Sequence, residues 1–262
     1  MSSGIVSRLK KKKINEVVAT GKRMDGRGLD DYREIKIITN PLEKAEGSAE
    51  VYLGKSRVLA GVKVGLGTPF EDTPKKGVLM VNAELTPIAH PTFEPGPPRE
   101  NAIELARVVD RGLRSAEIIN LEKLCLVEGK TVYMVFVDLF VLNYDGNLID
   151  CAGLAAIAAL KAAKLPVYTV KDDVVKKTAK TKAIKLIREP LPITVAKIGE
   201  HMLVDPSADE EDVLDGRLTI TLDEKDLVCT IQKAGSVGFS FEELQKAINI
   251  AKEKAGENRA KL

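Results

Sequence analysis

The chain contains no tryptophan, and glutamine appears only at Gln232 and Gln245 among 262 residues. With lysine and glutamate plentiful, that bias fits a heat-adapted source. Cysteine is scarce: Cys125, Cys151 and Cys229 are isolated and odd in number, so neither a disulfide framework nor a zinc site is expected, and a reducing cytoplasm fits. No apolar run approaches the roughly 20 residues of a membrane span, and no signal peptide is visible, so no membrane partner is expected. An excess of one charge is missing as well. Forty basic against 38 acidic side chains leave a net of +2, so any affinity for nucleic acid must come from local patches.

What is present is ordinary globular material, 44% hydrophobic and 30% charged, long enough for one large core or two modest ones. The chain is organised around residues 132–164. Residues 132–142 are apolar on both period-two faces, the pattern of a strand covered on both sides. Asn143-Tyr144-Asp145-Gly146-Asn147 supplies turn chemistry. Residues 150–164 are Ala- and Leu-rich and apolar nearly all round, predicting a buried helix lying close to a sheet. A helix start after a strand can bind anions, but Asp145 and Asp150 flank this one without an intervening cation. They cap the helix and repel phosphate.

The remaining elements follow from periodicity and turn signals. A helix is expected over 5–20, carrying the basic run 10–13, whose ordinary role is a solvated face. Residues 21–28, with Arg23, Arg27 and three glycines, read as a structured turn or a phosphate-facing loop. Strands are expected at 35–39, 48–54, 58–65 and 78–85. Gly65-Leu66-Gly67 lacks the third glycine and the following helix of a nucleotide fingerprint. His90, without a partner nearby in sequence, reads as structural. The stiff segment 92–98 leads into a helix over 100–116. There Ala102, Ala106, Val109 and Leu113 share one stripe, and Arg107, Arg111 and Arg114 lie nearly opposite. Such a ladder of guanidinium groups suits successive phosphates, though Glu100, Glu104 and Asp110 are near enough to pair with it. Residues 170–188 form a basic, exposed linker. A strand follows at 193–198, continued at 202–204. The acidic run 205–215 has the composition of a solvated loop, although clustered carboxylates can also hold a metal or act as general acids. A hairpin, 218–222 with 227–232, precedes a helix opened by the capping box Ser240-Phe241-Glu242-Glu243 and ended by Gly256. Strands and helices mix without strict alternation, so the fold class is α+β with mixed or mostly antiparallel sheets.

Three motifs in fixed order then carry a resemblance. Met24-Asp25-Gly26-Arg27, Glu94-Pro95-Gly96-Pro97-Pro98 with its helix, and Asp145-Gly146-Asn147 running into the Ala-rich helix are similar to the RNase PH-like family, in particular the non-catalytic ring subunits of the archaeal exosome. The similarity covers about residues 23–255. It implies an RNase PH-like two-layer fold with mixed sheets packed against helices and βαβ-type units. The division implied is a basic helix at 1–22, a first subdomain at 23–170, a basic linker at 171–189 and a second subdomain at 190–262. It also implies a hexameric ring, three copies each of this subunit and a catalytic RNase PH-like partner. RNA-binding cap proteins, single-stranded RNA degraded from its 3′ end, and a cytoplasmic location complete the picture.

Departures from the family pattern assign the role. Active relatives carry Gly-Thr-Arg where this chain has Asn147-Leu148-Ile149, and two arginines where it has Glu100-Asn101. A phosphate site stripped of cations fails electrostatically. The expectation is therefore a subunit without catalytic residues, metal or cofactor of its own, with inorganic phosphate and Mg²⁺ belonging to the partner's site. Arg107 and Arg111, and with less support from the family pattern Arg114, would hold RNA phosphates. Two alternatives stand beside this: an active phosphate-dependent exoribonuclease using Asp205 and Asp215, and a free-standing RNA-binding module using residues 10–13.

Overall fold

The computed structural model describes residues 2–262, with side chains from residue 9 onward, so Ile5 of the first apolar stripe lies outside the described side chains. Five helices and twelve strands are assigned among the described residues. They are α1 (Ser2–Val18), β1 (Ile35–Thr39), β2 (Gly47–Leu53), β3 (Ser56–Gly67), β4 (Val78–Leu85), α2 (Glu100–Ser115), β5 (Cys125–Val127), β6 (Thr131–Asn143), α3 (Leu148–Ala162), β7 (Lys164–Lys171), β8 (Val174–Ala183), β9 (Leu191–Ile198), β10 (His201–Val204), α4 (Ala208–Glu211), β11 (Gly216–Leu222), β12 (Val228–Gly235) and α5 (Phe241–Arg259).

Two sheets enclose α3. The larger has the order β1-β2-β3-β6-β4, with β5 folded back on the start of β6. Its one parallel pair is β4 with β6, joined through α2 as a βαβ crossover. The smaller sheet, β10-β9-β11-β12, is antiparallel throughout. Helix α3 packs on β2 and β3 to one side and on β9 to the other. That contact explains its composition: from Ile149 to Leu160 every residue is buried, and small side chains let two sheets approach one helix. Gly153 marks the tightest place, since a Cβ there would lie 2.3 Å from Cγ of Pro192 in β9.

The main core joins alternate residues of β3 and β6, among them Val58, Ala60 and Val62 paired across from Val141, Leu139 and Val137. The expectation that β6 is covered on both faces is corrected. Met134, Phe136 and Asp138 are only half-buried and Phe140 is 37% exposed, because α3, the helix packed on β6, lies against the other face of the sheet. A second core sets Ile193, Val195, Leu218 and Ile220 against Ala247, Ala251 and Ala255 of α5.

Further expectations are revised. Residues 171–189 are not a plain linker: most of the segment is β8, hairpinned to β7. Asp172 and Asp173 form a two-residue connection with φ of 50° and 61°, the twist that matches a right-handed ribbon. Helix α1 is not a separate arm, since Ile14 and Val18 pack with Ala196, Ile198 and Leu203 of the smaller sheet. Gly256 does not end α5, which runs on to Arg259. Asn258 is buried, and Arg259 donates to the carbonyls of Leu222 and Asp223, which holds the last turn in place.

Candidate nucleic-acid interface and a closed anion turn

The turn before α3 is built from residues that tolerate a left-handed backbone: Gly146 has φ 85° and Asn147 φ 51°. Gly146 is also pressed against α4, where a Cβ would fall 2.4 Å from the Pro206 carbonyl oxygen. Close approach brings an acid onto the helix start. The Asn147 amide donates to Glu211 Oε1 at 3.1 Å, and the Tyr144 hydroxyl donates to Oε2 at 2.8 Å. Arg217 stands 3.9 Å from the same carboxylate. Burial raises the Glu211 carboxyl above its ordinary value, while these partners favour its charged form. The partial positive charge of the α3 start is thus answered from within the chain.

Beneath the turn lies a fully committed charge cluster. Asp205, with no exposed side-chain surface, accepts from Arg33 through Nη2 at 2.7 Å and Nε at 2.9 Å, from Arg27 at 2.9 Å and from the Asn147 side chain at 2.9 Å. Burial alone would raise its carboxyl, yet the Arg33 guanidinium and amide hold it below the ordinary value. Arg33 also donates to the carbonyls of Asp145 and Gly146, at 2.5 and 3.2 Å, which fixes the turn. Arg23, completely buried, pairs with Glu210 and donates to the carbonyls of Val204 and Asp205. Residues 21–28 are therefore a structured turn whose two arginines face inward.

Asp150, also buried, accepts from Tyr32 at 2.6 Å, from Asn147, and from both the amide and hydroxyl of Thr194. Burial pushes its carboxyl up to about 6 against those bonds. Asp215 is held elsewhere, by Lys11 at 2.6 Å and the Gly199 amide at 2.8 Å. The expected solvated acidic loop is corrected accordingly: Asp205 and Glu210 are buried, and Ser207 with Glu210 makes a capping box for α4. Of the basic run 10–13, Lys10 pairs with Asp209 and Asp212, Lys11 with Asp215 and Lys12 with Glu16. His90 packs edge-on to Tyr144, with ring centroids 5.2 Å apart. Among the described residues no cluster of three or more His, Cys, Asp or Glu side chains is arranged to hold a metal.

Helix α2 is arranged differently. Ala102, Leu105, Val109, Gly112 and Leu113 form its buried face. Arg107 is exposed and makes no ion pair or hydrogen bond among the described residues, and Arg111 donates only to Gln232, at 2.9 Å. Glu104, the acid spaced to pair with Arg107, is taken by Arg217 at 2.6 Å. The two arginines line a hollow of about 390 Å³ with Ile149, Arg217 and Lys233. Arg114 departs from the ladder: its guanidinium pairs with Asp110 at 2.8 Å and caps the Leu79 carbonyl at 2.8 Å. Glu211, Glu210, Arg33 and Tyr32 escaped sequence reasoning because their partners lie far along the chain. Only the Ser207-x-x-Glu210 capping box was locally visible.

Two sheets around one buried helix, the larger sheet closed by a βαβ crossover between β4 and β6, define the class as an α+β scaffold, and comparison with known proteins makes it specific. Residues 31–166 match the model described as "3′ exoribonuclease family, domain 1" and residues 189–254 match domain 2 of that family. The chain belongs to the 3′ exoribonuclease (RNase PH) family. It is 50% identical over 251 residues to "Exosome complex component Rrp42" of Thermococcus onnurineus, covering 95% of this chain and 92% of the relative. A chain of the solved "archaeoglobus fulgidus exosome with RNA bound to the active site" superposes with a TM-score of 0.90 at 43% identity, over 98% of this chain and 99% of that one. A chain of "Archaeal exosome core" does so at 0.87 and 39% identity, over 100% and 99%. The family resemblance and the mixed-sheet α+β class are both borne out.

Proposed function

We propose that this chain is a non-catalytic ring subunit of an archaeal exosome, a 3′-to-5′ phosphorolytic RNA-degrading complex. It structures the active site of a catalytic RNase PH-like partner and contributes RNA contacts from Arg107 and Arg111. One observation carries the reading: the amide at the start of α3, where an anion would be received, is occupied by the chain's own Glu211. The next two residues, Leu148 and Ile149, bring no cation. Inorganic phosphate and Mg²⁺ then belong to the partner's site, and RNA-binding cap proteins and single-stranded RNA to the assembled, cytoplasmic complex. Three copies of each subunit would close the ring, and the half-covered outer face of β6, where Met134, Phe136 and Phe140 stand beside Asp138, is surface suited to a neighbouring subunit. No described helix is long and apolar enough to cross a membrane.

Phosphorolysis by this chain itself through Asp205 and Asp215 is not favoured. Every oxygen of Asp205 is engaged by arginine or asparagine, and Asp215 anchors α1 and the β9–β10 turn. The deciding experiment measures size and phosphate-dependent RNA degradation for the chain alone and mixed with a catalytic RNase PH-like subunit. The expected result is no nucleoside diphosphate from the chain alone, and a larger, active assembly from the mixture. Release of nucleoside diphosphates by the chain alone overturns the reading.

A further inference from the structure

The β7–β8 hairpin concentrates the positive charge of the molecule. Residues 164–183 carry six lysines against two aspartates, a net of +4, so the rest of the chain sums to −2. A two-stranded ribbon is marginally stable by itself, and this one is held mainly at its root, with one further ion pair at its tip. Leu165 enters the main core, the Tyr133 hydroxyl donates to the Pro166 carbonyl at 2.7 Å, and the Ile184 amide donates to the Ala163 carbonyl at 3.0 Å. Beyond the root, no residue of β8 is buried.

The lysines are also left unanswered. Asp173 is taken by Lys130 from outside the hairpin, at 2.5 Å, and Lys182 lies over the Tyr133 ring. Lys171, Lys176, Lys177 and Lys180 are exposed and make no salt bridge among the described residues. Conformational freedom and mutual repulsion make such a cluster costly to hold together, unless an external polyanion offsets it. The one aromatic side chain on the hairpin, Tyr168, is half-buried and packed edge-on against Tyr133 at 5.6 Å.

We propose that this hairpin is a second RNA-contacting surface, which binds the phosphate backbone of single-stranded RNA without reading its bases. The inference rests on the chain being part of an RNA-degrading complex. It concerns a place separate from α2. Arg107 and Arg111 line the same hollow as Ile149, in the first turn of α3, whereas the hairpin leaves the body after the last turn. Fifteen helical residues separate the two, roughly 22 Å at 1.5 Å per residue. Only an RNA long enough to span that interval engages both.

The test uses the ring assembled with its catalytic partner. A variant combining Lys171→Ala, Lys176→Ala, Lys177→Ala and Lys180→Ala is compared with the unaltered ring and with one carrying Arg107→Ala and Arg111→Ala. Binding is measured across a salt series for a long RNA of about thirty nucleotides and a short one of about five, near the lower end of single-strand site sizes. The hairpin variant is expected to lower the slope of log K against log salt by about 3 for the long RNA, at about 0.7 per lost contact, with the short RNA unaffected. An unchanged slope for the long RNA overturns the proposal. So does equal loss for both lengths, which reports a diffuse field rather than a site, and so does failure to enter the ring, which marks a protein-docking surface. An effect of the hairpin variant without any effect of the α2 variant upholds the hairpin and sinks the role given to Arg107 and Arg111.

Discussion

Two groups of cations in this molecule face opposite fates. Under the start of α3, Arg23, Arg27 and Arg33 are each matched to Glu210 or Asp205 and to backbone carbonyls, and little of their side chains reaches solvent. On α2 and on the β7–β8 hairpin, Arg107, Arg111 and four lysines stand in water without an acid partner among the described residues. Composition does not separate these groups, and Met24-Asp25-Gly26-Arg27 looks as phosphate-ready as the α2 stripe. Pairing separates them. A buried, doubly satisfied guanidinium holds the fold together, and removing it leaves an uncompensated charge. An exposed, unanswered one adds little to stability and remains available to a ligand.

The comparison can be broken at its strongest point first. Arg23→Ala leaves Glu210 buried and unpaired, and the expected cost is about 3–5 kcal/mol, read as a lower urea midpoint. A cost below about 1 kcal/mol would place Arg23 with the surface cations. Asp205→Asn is expected to lose on the order of 3 kcal/mol at neutral pH, and its pH profile sharpens the point. The folded Asp205 carboxyl lies below its unfolded value, so its stabilisation is present above the unfolded pKa and is lost as pH falls through the folded one. Thermal unfolding of the Asn variant should therefore show a shallower acid limb than the unaltered chain. Smaller still is the effect of Arg107→Ala with Arg111→Ala: stability within about 0.5 kcal/mol, but a salt slope for RNA binding by the assembled ring lower by about 1.4. On that slope the smallest effect is expected of Arg114→Ala, which should leave it unchanged while costing under about 1 kcal/mol of stability, since its guanidinium is already engaged by Asp110 and Leu79.

Much of the scaffold was legible without coordinates. The strands Ile35–Thr39 and Val78–Leu85 have the limits that alternation and turn residues set, and the Ala-rich run is the helix between two sheets. Locally encoded features, such as the α2 stripes and the Ser240 capping box, were readable because their partners lie three or four residues away. What was hidden depends on distant segments. The Asn147 amide meets Glu211 from 64 residues on, and Arg23 meets Glu210 from 187. No periodicity marks such pairs, and so an acid run that looked solvated conceals Asp205 at the centre of the molecule. The β7–β8 ribbon was missed for another reason. Lysine is poor in strand propensity, and β8 has no buried face to announce a sheet.

Gly153 has a consequence of its own. The hydrogen it presents to Pro192 sets the clearance between the central helix and the smaller sheet. The first turn of that helix carries Asp150, bonded to Thr194 on the same strand as Pro192. A methyl group at 153 would act as a shim driven between two plates, prying helix from strand one turn beyond the Asp150–Thr194 clasp. The geometry of the turn before α3 is tuned by the absence of a single carbon atom.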